Sequence, residues 1–65
     1  MITVNGKTQP FQSETTLREL LAQLALLHTL CAIEVNNTLV PHKERDEYTL
    51  QDGDKVEIVS LVGGG

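Results

Sequence analysis

The group in this sequence most able to do chemistry is a carboxylate at the end of three consecutive glycines, Gly63, Gly64 and Gly65. Glycine has no side chain, so such a segment cannot pack into a core or hold one backbone conformation. We therefore expect a slender arm that can thread a narrow active-site channel where side chains would clash. A carboxylate presented in this way can attack the α-phosphate of ATP to give an acyl-adenylate. Sulfur can then replace AMP and leave a thiocarboxylate.

The glycine segment could also be a disordered chain end, a remnant of cloning, or half of a linker. The segment continues a predicted strand at 55–62 without a break, and a cloning remnant usually mixes in serine or other residues. Both observations favour a functional arm. A partner enzyme would position Gly65 and stabilise the developing charge, so we predict that the chain is not itself an enzyme.

The remaining candidates for chemistry fit structural roles better. The Asp-Gly-Asp sequence at 52–54 separates two apolar segments and is typical of a turn, not of a catalytic carboxylate pair. Cys31 has no local signature of a nucleophile and is interpreted as a small core residue. His28 and His42 lack metal-ligand spacing, and His28 is interpreted as a helix-end residue that contacts free carbonyls. We predict no metal site and no bound cofactor.

Composition and charge limit the classes of partner. The formal net charge is −4, from nine Asp and Glu against five Lys and Arg. Nucleic acids and anionic membranes select basic surfaces, and the two aromatic residues, Phe11 and Tyr48, are too few for a base-stacking surface. We predict no nucleic-acid and no membrane partner, and we expect docking to a basic patch on another protein.

The cysteine content and the N-terminus predict a cytoplasmic protein. A single cysteine cannot form an internal disulfide, and a small domain stabilised by neither a disulfide nor a metal is typical of a reducing compartment. The N-terminal residues lack the features of a signal peptide, and no apolar run approaches the roughly 20 residues of a membrane span. We expect one domain at 1–62 and a flexible tail at 63–65.

The first element that would carry the tail is a predicted β-hairpin. Residues 1–4 alternate in hydrophobicity, and Asn5 and Gly6 form a strong hairpin signal because both positions of the favoured turn require a positive φ. The return strand at 7–12 should be short, and Pro10 fits a strand at the edge of a sheet.

A helix follows the hairpin. Thr16 and Glu19 have the spacing of a capping box. Leucines then recur at i, i+3, i+4 and i+7 from Leu17, which is the pattern of a helix that buries one side. We predict that the helix ends within 26–28. The elements after it are short: a strand at 31–35, a turn at 36–37, a strand at 38–40, an exposed loop or single helical turn at 42–47, a brief strand at 48–50, a turn at 51–54 and a long strand at 55–62.

The last strand is apolar on both faces, with Val56, Ile58 and Val62 on one and Val59 and Leu61 on the other. An interior position beside the first strand accounts for the first set. A hairpin followed by a helix makes the helix cross one face of the sheet, so Val59 and Leu61 should face outward and dock a partner. Coverage by loops is the alternative. The predicted fold is α+β, a ubiquitin-like β-grasp with a mixed sheet of four to five strands around one main helix.

Seven short stretches occur in an order and at a chain length that resemble those of the ThiS family, the sulfur carriers of thiamine biosynthesis. They are VNG at 4–6, TLRELL at 16–21, VN at 35–36, VP at 40–41, LQDGD at 50–54, VEIV at 56–59 and VGGG at 62–65. The loop at 42–47 departs from the family pattern. His42 and Arg45 stand there where many members have an arginine and an aromatic residue.

The resemblance implies that a ThiF-type adenylating enzyme activates Gly65 with ATP and magnesium. Sulfur from cysteine, delivered through a desulfurase, would convert Gly65 to a thiocarboxylate. Thiazole synthase (ThiG) would accept the tail, with Gly63 and Gly64 in its active site, and sulfur would enter the thiazole ring of thiamine. The chain would then be a protein co-substrate. The alternatives are a sulfur carrier for molybdopterin or another thiolation pathway, conjugation to lysines, and a non-catalytic ubiquitin-like interaction module.

Overall fold

A computed structural model describes residues 1–61 of the chain. The predictions for Val62 and for the glycine tail at 63–65 lie outside the described residues. The described elements are, in order, β1 (Ile2–Val4), β2 (Lys7–Gln9), α1 (Leu17–Gln23), β3 (Cys31–Val35), β4 (Thr38–Leu39), a 3-10 helix (His42–Glu44) and β5 (Lys55–Ser60).

The five strands form one mixed sheet in the order β2-β1-β5-β3-β4. β5 runs parallel to β1 and antiparallel to β3, whereas the outer pairs β1–β2 and β3–β4 are antiparallel hairpins. The predicted α+β fold with a mixed sheet and one main helix is therefore confirmed. The interior place of the last strand beside the first is confirmed as well.

The two hairpin turns adopt the predicted left-handed backbone. The residues of the turns at 5–6 and 36–37 all have positive φ, between 50° and 83°. β2 is shorter than the expected return strand because it stops immediately before Pro10, whose nitrogen has no hydrogen to donate to a neighbouring strand. β4 likewise has only two residues, so both edges of the sheet are short.

The N-terminus of α1 has the predicted capping box. Thr16 Oγ1 accepts a hydrogen bond from the amide of Glu19 at 3.2 Å, and Glu19 Oε1 accepts one from the amide of Thr16 at 3.0 Å. These two bonds satisfy amides that have no partner inside the helix. The buried side of the helix carries Leu17, Leu20 and Leu21, which pack in the core.

The helix ends about one turn earlier than predicted, and the reason lies at Ala25. This residue has φ 60°, its amide donates to the carbonyl of Ala22 at 3.1 Å, and the next amide, of Leu26, donates to Leu21 at 2.8 Å. These bonds form a Schellman motif, which usually has glycine at the left-handed position. Alanine there leaves no helix-stop signal in the sequence.

The segment at 48–50 was predicted to be a brief strand, and this is wrong. Thr49 forms only an isolated bridge with Thr16, and the amide of Leu50 donates to the carbonyl of Thr15 at 2.8 Å. The segment therefore lies along the start of α1 instead of joining the sheet. Leu50 is almost fully buried there, together with the other most buried side chains of the core, Leu17, Leu20, Ile33, Val35 and Val56.

The polar run at 42–47 forms the expected single helical turn, but the prediction that the run is exposed is wrong at one residue. Arg45 is only 6% exposed. Its Nη2 donates a hydrogen bond of 2.7 Å to the carbonyl oxygen of Cys31, which draws the guanidinium beneath the start of β3. A run of charged residues gives no indication of which member turns inward.

Replacing Ala25 with glycine should stabilise the chain. An L-residue in the left-handed conformation costs about 1–2 kcal/mol, and the greater chain entropy of glycine offsets about half of that. We expect the free energy of unfolding to rise by about 0.5–1 kcal/mol, equivalent to a few degrees in melting temperature. Ala22→Gly, at an exposed helical position, is the matched control and should lower stability by about 1 kcal/mol. An Ala25→Gly chain that melts no higher than the unchanged chain would contradict the cap assignment.

Candidate docking site at the base of the tail

The described chain ends where β5 meets the beginning of β3. Ser60 pairs with Cys31, and the pairing extends one residue further, because the amide of Leu61 donates to the carbonyl of Leu30 at 2.8 Å. The backbone is thus held by the sheet up to the last described residue. Val62 and the glycines at 63–65 follow this residue in the chain and lie outside the described residues.

Val59 and Leu61 face outward, as expected from the alternation along β5. Their exposed fractions are 59% and 55%, whereas Val56, on the opposite face, is completely buried. Nothing within residues 1–61 covers these two side chains to any large extent, so the alternative of coverage by loops is wrong for this part of the chain. Their role in docking a partner stays a prediction.

Two further residues belong to this surface, and neither was predicted from the sequence. Ala32 pairs directly with Val59 across the sheet, and Leu30 lies opposite Leu61 and is 64% exposed. We call Leu30, Ala32, Val59 and Leu61 the outer apolar patch. The alternation of side chains along β3 could have predicted that residues 30 and 32 face outward. Only the strand register shows that they lie next to β5.

An acidic row borders the outer apolar patch. Glu34 and Glu57 pair directly across β3 and β5 on the same face, where two like charges repel each other. Lys55 Nζ lies 3.2 Å from Glu57 Oε1 and offsets part of that repulsion. A partner that covers the patch and places a cation beside this row would offset the remaining repulsion between Glu34 and Glu57. This fits the expected docking to a basic patch on another protein.

The aspartates at the 51–54 turn have the predicted structural role. The buried Asp54 accepts hydrogen bonds from Asn36 Nδ2 at 2.9 Å and from the amide of Gln51 at 2.8 Å. Asp52 is exposed and contacts the N-terminal ammonium, whose hydrogen bond and charge lower the pKa of this carboxyl group. The two carboxylates therefore hold the turn and do not converge on a common site.

Cys31 is a buried free thiol, as expected for a core residue. The interpretation of His28 as a helix-end residue is wrong, because α1 ends at Gln23 and backbone amides complete its cap. Within residues 1–61, no three His, Cys, Asp or Glu side chains form a group that could hold a metal ion. None of the helices in this part of the chain is long and apolar enough to cross a membrane.

Comparison with solved structures places the fold among proteins of thiamine biosynthesis. The crystal structure of the thiamine biosynthesis protein ThiS from Geobacter metallireducens matches with a TM-score of 0.80 and 33% sequence identity. The match covers 98% of this chain and 97% of that one. The β-grasp topology is thus shared with a full-length structural relative.

Sequence comparison gives the same result. The sulfur carrier protein ThiS of Bacillus subtilis is 35% identical over 66 residues, and the alignment covers 100% of both chains. A thiazole synthase of Paramagnetospirillum magneticum is 34% identical over 64 residues, and this chain spans only 20% of its length. The family model described as the ThiS family matches residues 2–65, a range that includes the three glycines. The chain belongs to the ThiS family.

Proposed function

We propose that this chain is a sulfur carrier of thiamine biosynthesis and that the Gly65 carboxylate carries the sulfur as a thiocarboxylate. The observation that carries the proposal is the family match over residues 2–65, which includes the glycine tail. Full-length similarity to a protein named sulfur carrier protein ThiS supports it. The chain acts as a protein co-substrate, and its partners supply the catalysis.

The proposed chemistry takes place entirely at Gly65. A carboxylate oxygen attacks the α-phosphorus of ATP, a new P–O bond forms, and pyrophosphate leaves. A sulfur nucleophile then attacks the acyl carbon of the adenylate, and AMP leaves. If sulfur arrives as a persulfide, a thiol must afterwards cleave the S–S bond by reduction to release the thiocarboxylate. The adenylating enzyme uses magnesium to neutralise the phosphate charge of ATP.

The outer apolar patch would hold the partner while the tail reaches its active site. Four residues separate Leu61 from the Gly65 carboxylate, and an extended chain spans at most about 3.6 Å per residue, or roughly 14 Å here. A partner docked on the patch must therefore have its reactive centre within that distance. Gly63 and Gly64 add length to the tail without adding side chains. Val59 and Leu61, docked on the partner, set the position from which the tail extends.

Three enzymes are the proposed partners. A ThiF-type adenylating enzyme activates Gly65, and a desulfurase supplies sulfur taken from cysteine. Thiazole synthase receives the loaded tail, a proposal supported by the similarity of 98% of this chain to a fifth of a protein with that name. For the compartment we propose the cytoplasm, because the activation consumes ATP and the single cysteine is a free thiol.

The carrier proposal predicts a specific mass change. Incubation with the adenylating enzyme, ATP and a sulfur source should add about 16 Da, the difference between sulfur and oxygen, and fragmentation should locate it at Gly65. A chain without Gly64 and Gly65 is the control. It should gain nothing yet melt at nearly the same temperature, since the buried apolar core found among residues 1–61 runs from Ile2 to Val56. An unchanged mass under conditions in which the enzyme loads its own carrier would rule the proposal out.

The docking role of the outer apolar patch predicts a loss of affinity on charge insertion. Val59→Asp or Leu61→Asp should weaken binding to the adenylating enzyme about tenfold or more, because a desolvated unpaired carboxylate costs at least about 1–3 kcal/mol. Thr8→Asp adds the same charge to the same face on the far edge strand and should change affinity less than threefold. Calorimetric titration measures all three, and equal affinities for the three variants would contradict the docking site.

Growth complementation tests the pathway. A bacterium that lacks its own thiamine sulfur carrier should grow without added thiamine when it expresses this chain, and the truncated chain should fail. Added thiamine should rescue both cultures, which shows that the truncated chain is not toxic. Restoration of molybdopterin synthesis or of another thiolation pathway, without restoration of thiamine synthesis, would assign the carrier to that pathway instead.

A further inference from the structure

The positively charged side chains of this acidic chain concentrate around one cavity. The chain has five Lys and Arg and two His in total. Three of these five cations and both histidines line a cavity of about 250 Å³ beside the start of α1 and the 3-10 helix: Arg18, His28, His42, Lys43 and Arg45. Only one acid, Asp46, lines it with them. We call this the basic cavity.

Arg45 is the buried cation of the basic cavity, and no described carboxylate pairs with it. It is 6% exposed, and none of the Asp or Glu side chains in residues 1–61 forms a salt bridge with its guanidinium. Asp46, the acid that lines the cavity, pairs with Arg18 instead, at 3.4 Å. Taking a charge out of water without a partner of opposite sign is costly. A bound anion would offset this cost.

The guanidinium retains donors that the protein does not use. Nη2 donates to the carbonyl of Cys31 at 2.7 Å, and Nη1 donates to Cys31 Sγ at 3.7 Å and lies 3.5 Å from His42 Nδ1. Nε is buried and has no acceptor among the described residues. Arginine has five N–H donors arranged as a planar fork, which suits the spacing of two oxygens in an oxyanion.

We infer that the basic cavity binds a small oxyanion, with inorganic phosphate as the simplest member of the class. The buried Arg45 guanidinium supplies a fork of donors, and Lys43 and Arg18 add charge at the rim. A second cavity of about 330 Å³ adjoins the first through His28, His42 and Arg45 and extends to Leu30 of the outer apolar patch. The oxyanion site therefore lies next to the proposed docking surface but does not depend on it.

Phosphate chemistry could come from a free ion or from the phosphate of a nucleotide. Phosphate, pyrophosphate and AMP are therefore separate arms of one titration, followed by nuclear magnetic resonance of the ¹⁵N-labelled full chain. We expect saturable shifts of the Arg45 Nε–H and of amides in 42–46, with an apparent Kd for phosphate of about 1 mM, which is typical of two or three charge-assisted hydrogen bonds. If AMP binds the same residues at least tenfold more tightly than phosphate does, the ligand is a nucleotide phosphate. If AMP and phosphate bind with equal affinity, the ligand is a free ion.

Variants that remove single charges distinguish a specific phosphate site from a nonspecific effect of ionic strength. Arg45→Met should weaken phosphate binding at least tenfold, and Lys43→Met, at an exposed position whose replacement spares the core, should weaken it about threefold. Lys7→Met removes the same charge from β2, outside the cavity, and should leave the affinity unchanged. Potassium chloride at matched ionic strength controls for screening. Equal chemical-shift changes with chloride would overturn the inference, as would an equal loss of phosphate affinity in Lys7→Met and Lys43→Met. The absence of any chemical-shift change at phosphate concentrations up to about 50-fold above the expected Kd would also overturn it.

Discussion

The pairing of β5 between β1 and β3 is the constraint on which the rest of this structure depends. β5 is the central strand of the described sheet, parallel to β1 on one side and antiparallel to β3 on the other. Its inner face supplies Val56 to the core, and its outer face supplies Val59 to the outer apolar patch. The same hydrogen bonds hold the backbone up to Leu61, so the core, the docking surface and the base of the tail all depend on one set of strand contacts.

Features with a local physical cause could be predicted from the sequence. The turns at 5–6 and 36–37 require residues that tolerate positive φ, and the capping box needs only Thr16 and Glu19 three residues apart. The interior place of β5 beside β1 was inferred from the apolar residues on one of its faces, those at 56, 58 and 62. The family pattern of the tail was also visible, although the tail lies outside the part of the chain that the structure describes.

Features that depend on tertiary context could not be predicted. The helix ends at Gln23 and is followed by Ala25 in the left-handed conformation that glycine usually adopts, because the backbone amides of Ala25 and Leu26 find acceptors whatever side chain stands at 25. Arg45 turns inward because the carbonyl of Cys31 accepts from it, a contact between residues far apart in the chain. Leu30 belongs to the outer apolar patch because of the register between β3 and β5. The hydrophobic pattern within one strand does not determine this register.

The parallel contact between β1 and β5 has a consequence for how the protein is made. Synthesis proceeds from the N-terminus, at about 5–20 residues per second, yet the sheet cannot close until the last strand has emerged to pair with the first. Contacts between such distant segments form late in folding. An incomplete chain therefore lacks both halves of the outer apolar patch, because Val59 and Leu61 are missing and Leu30 and Ala32 have no strand to pair with. Only chains synthesised at least through Leu61 can therefore present the complete docking surface.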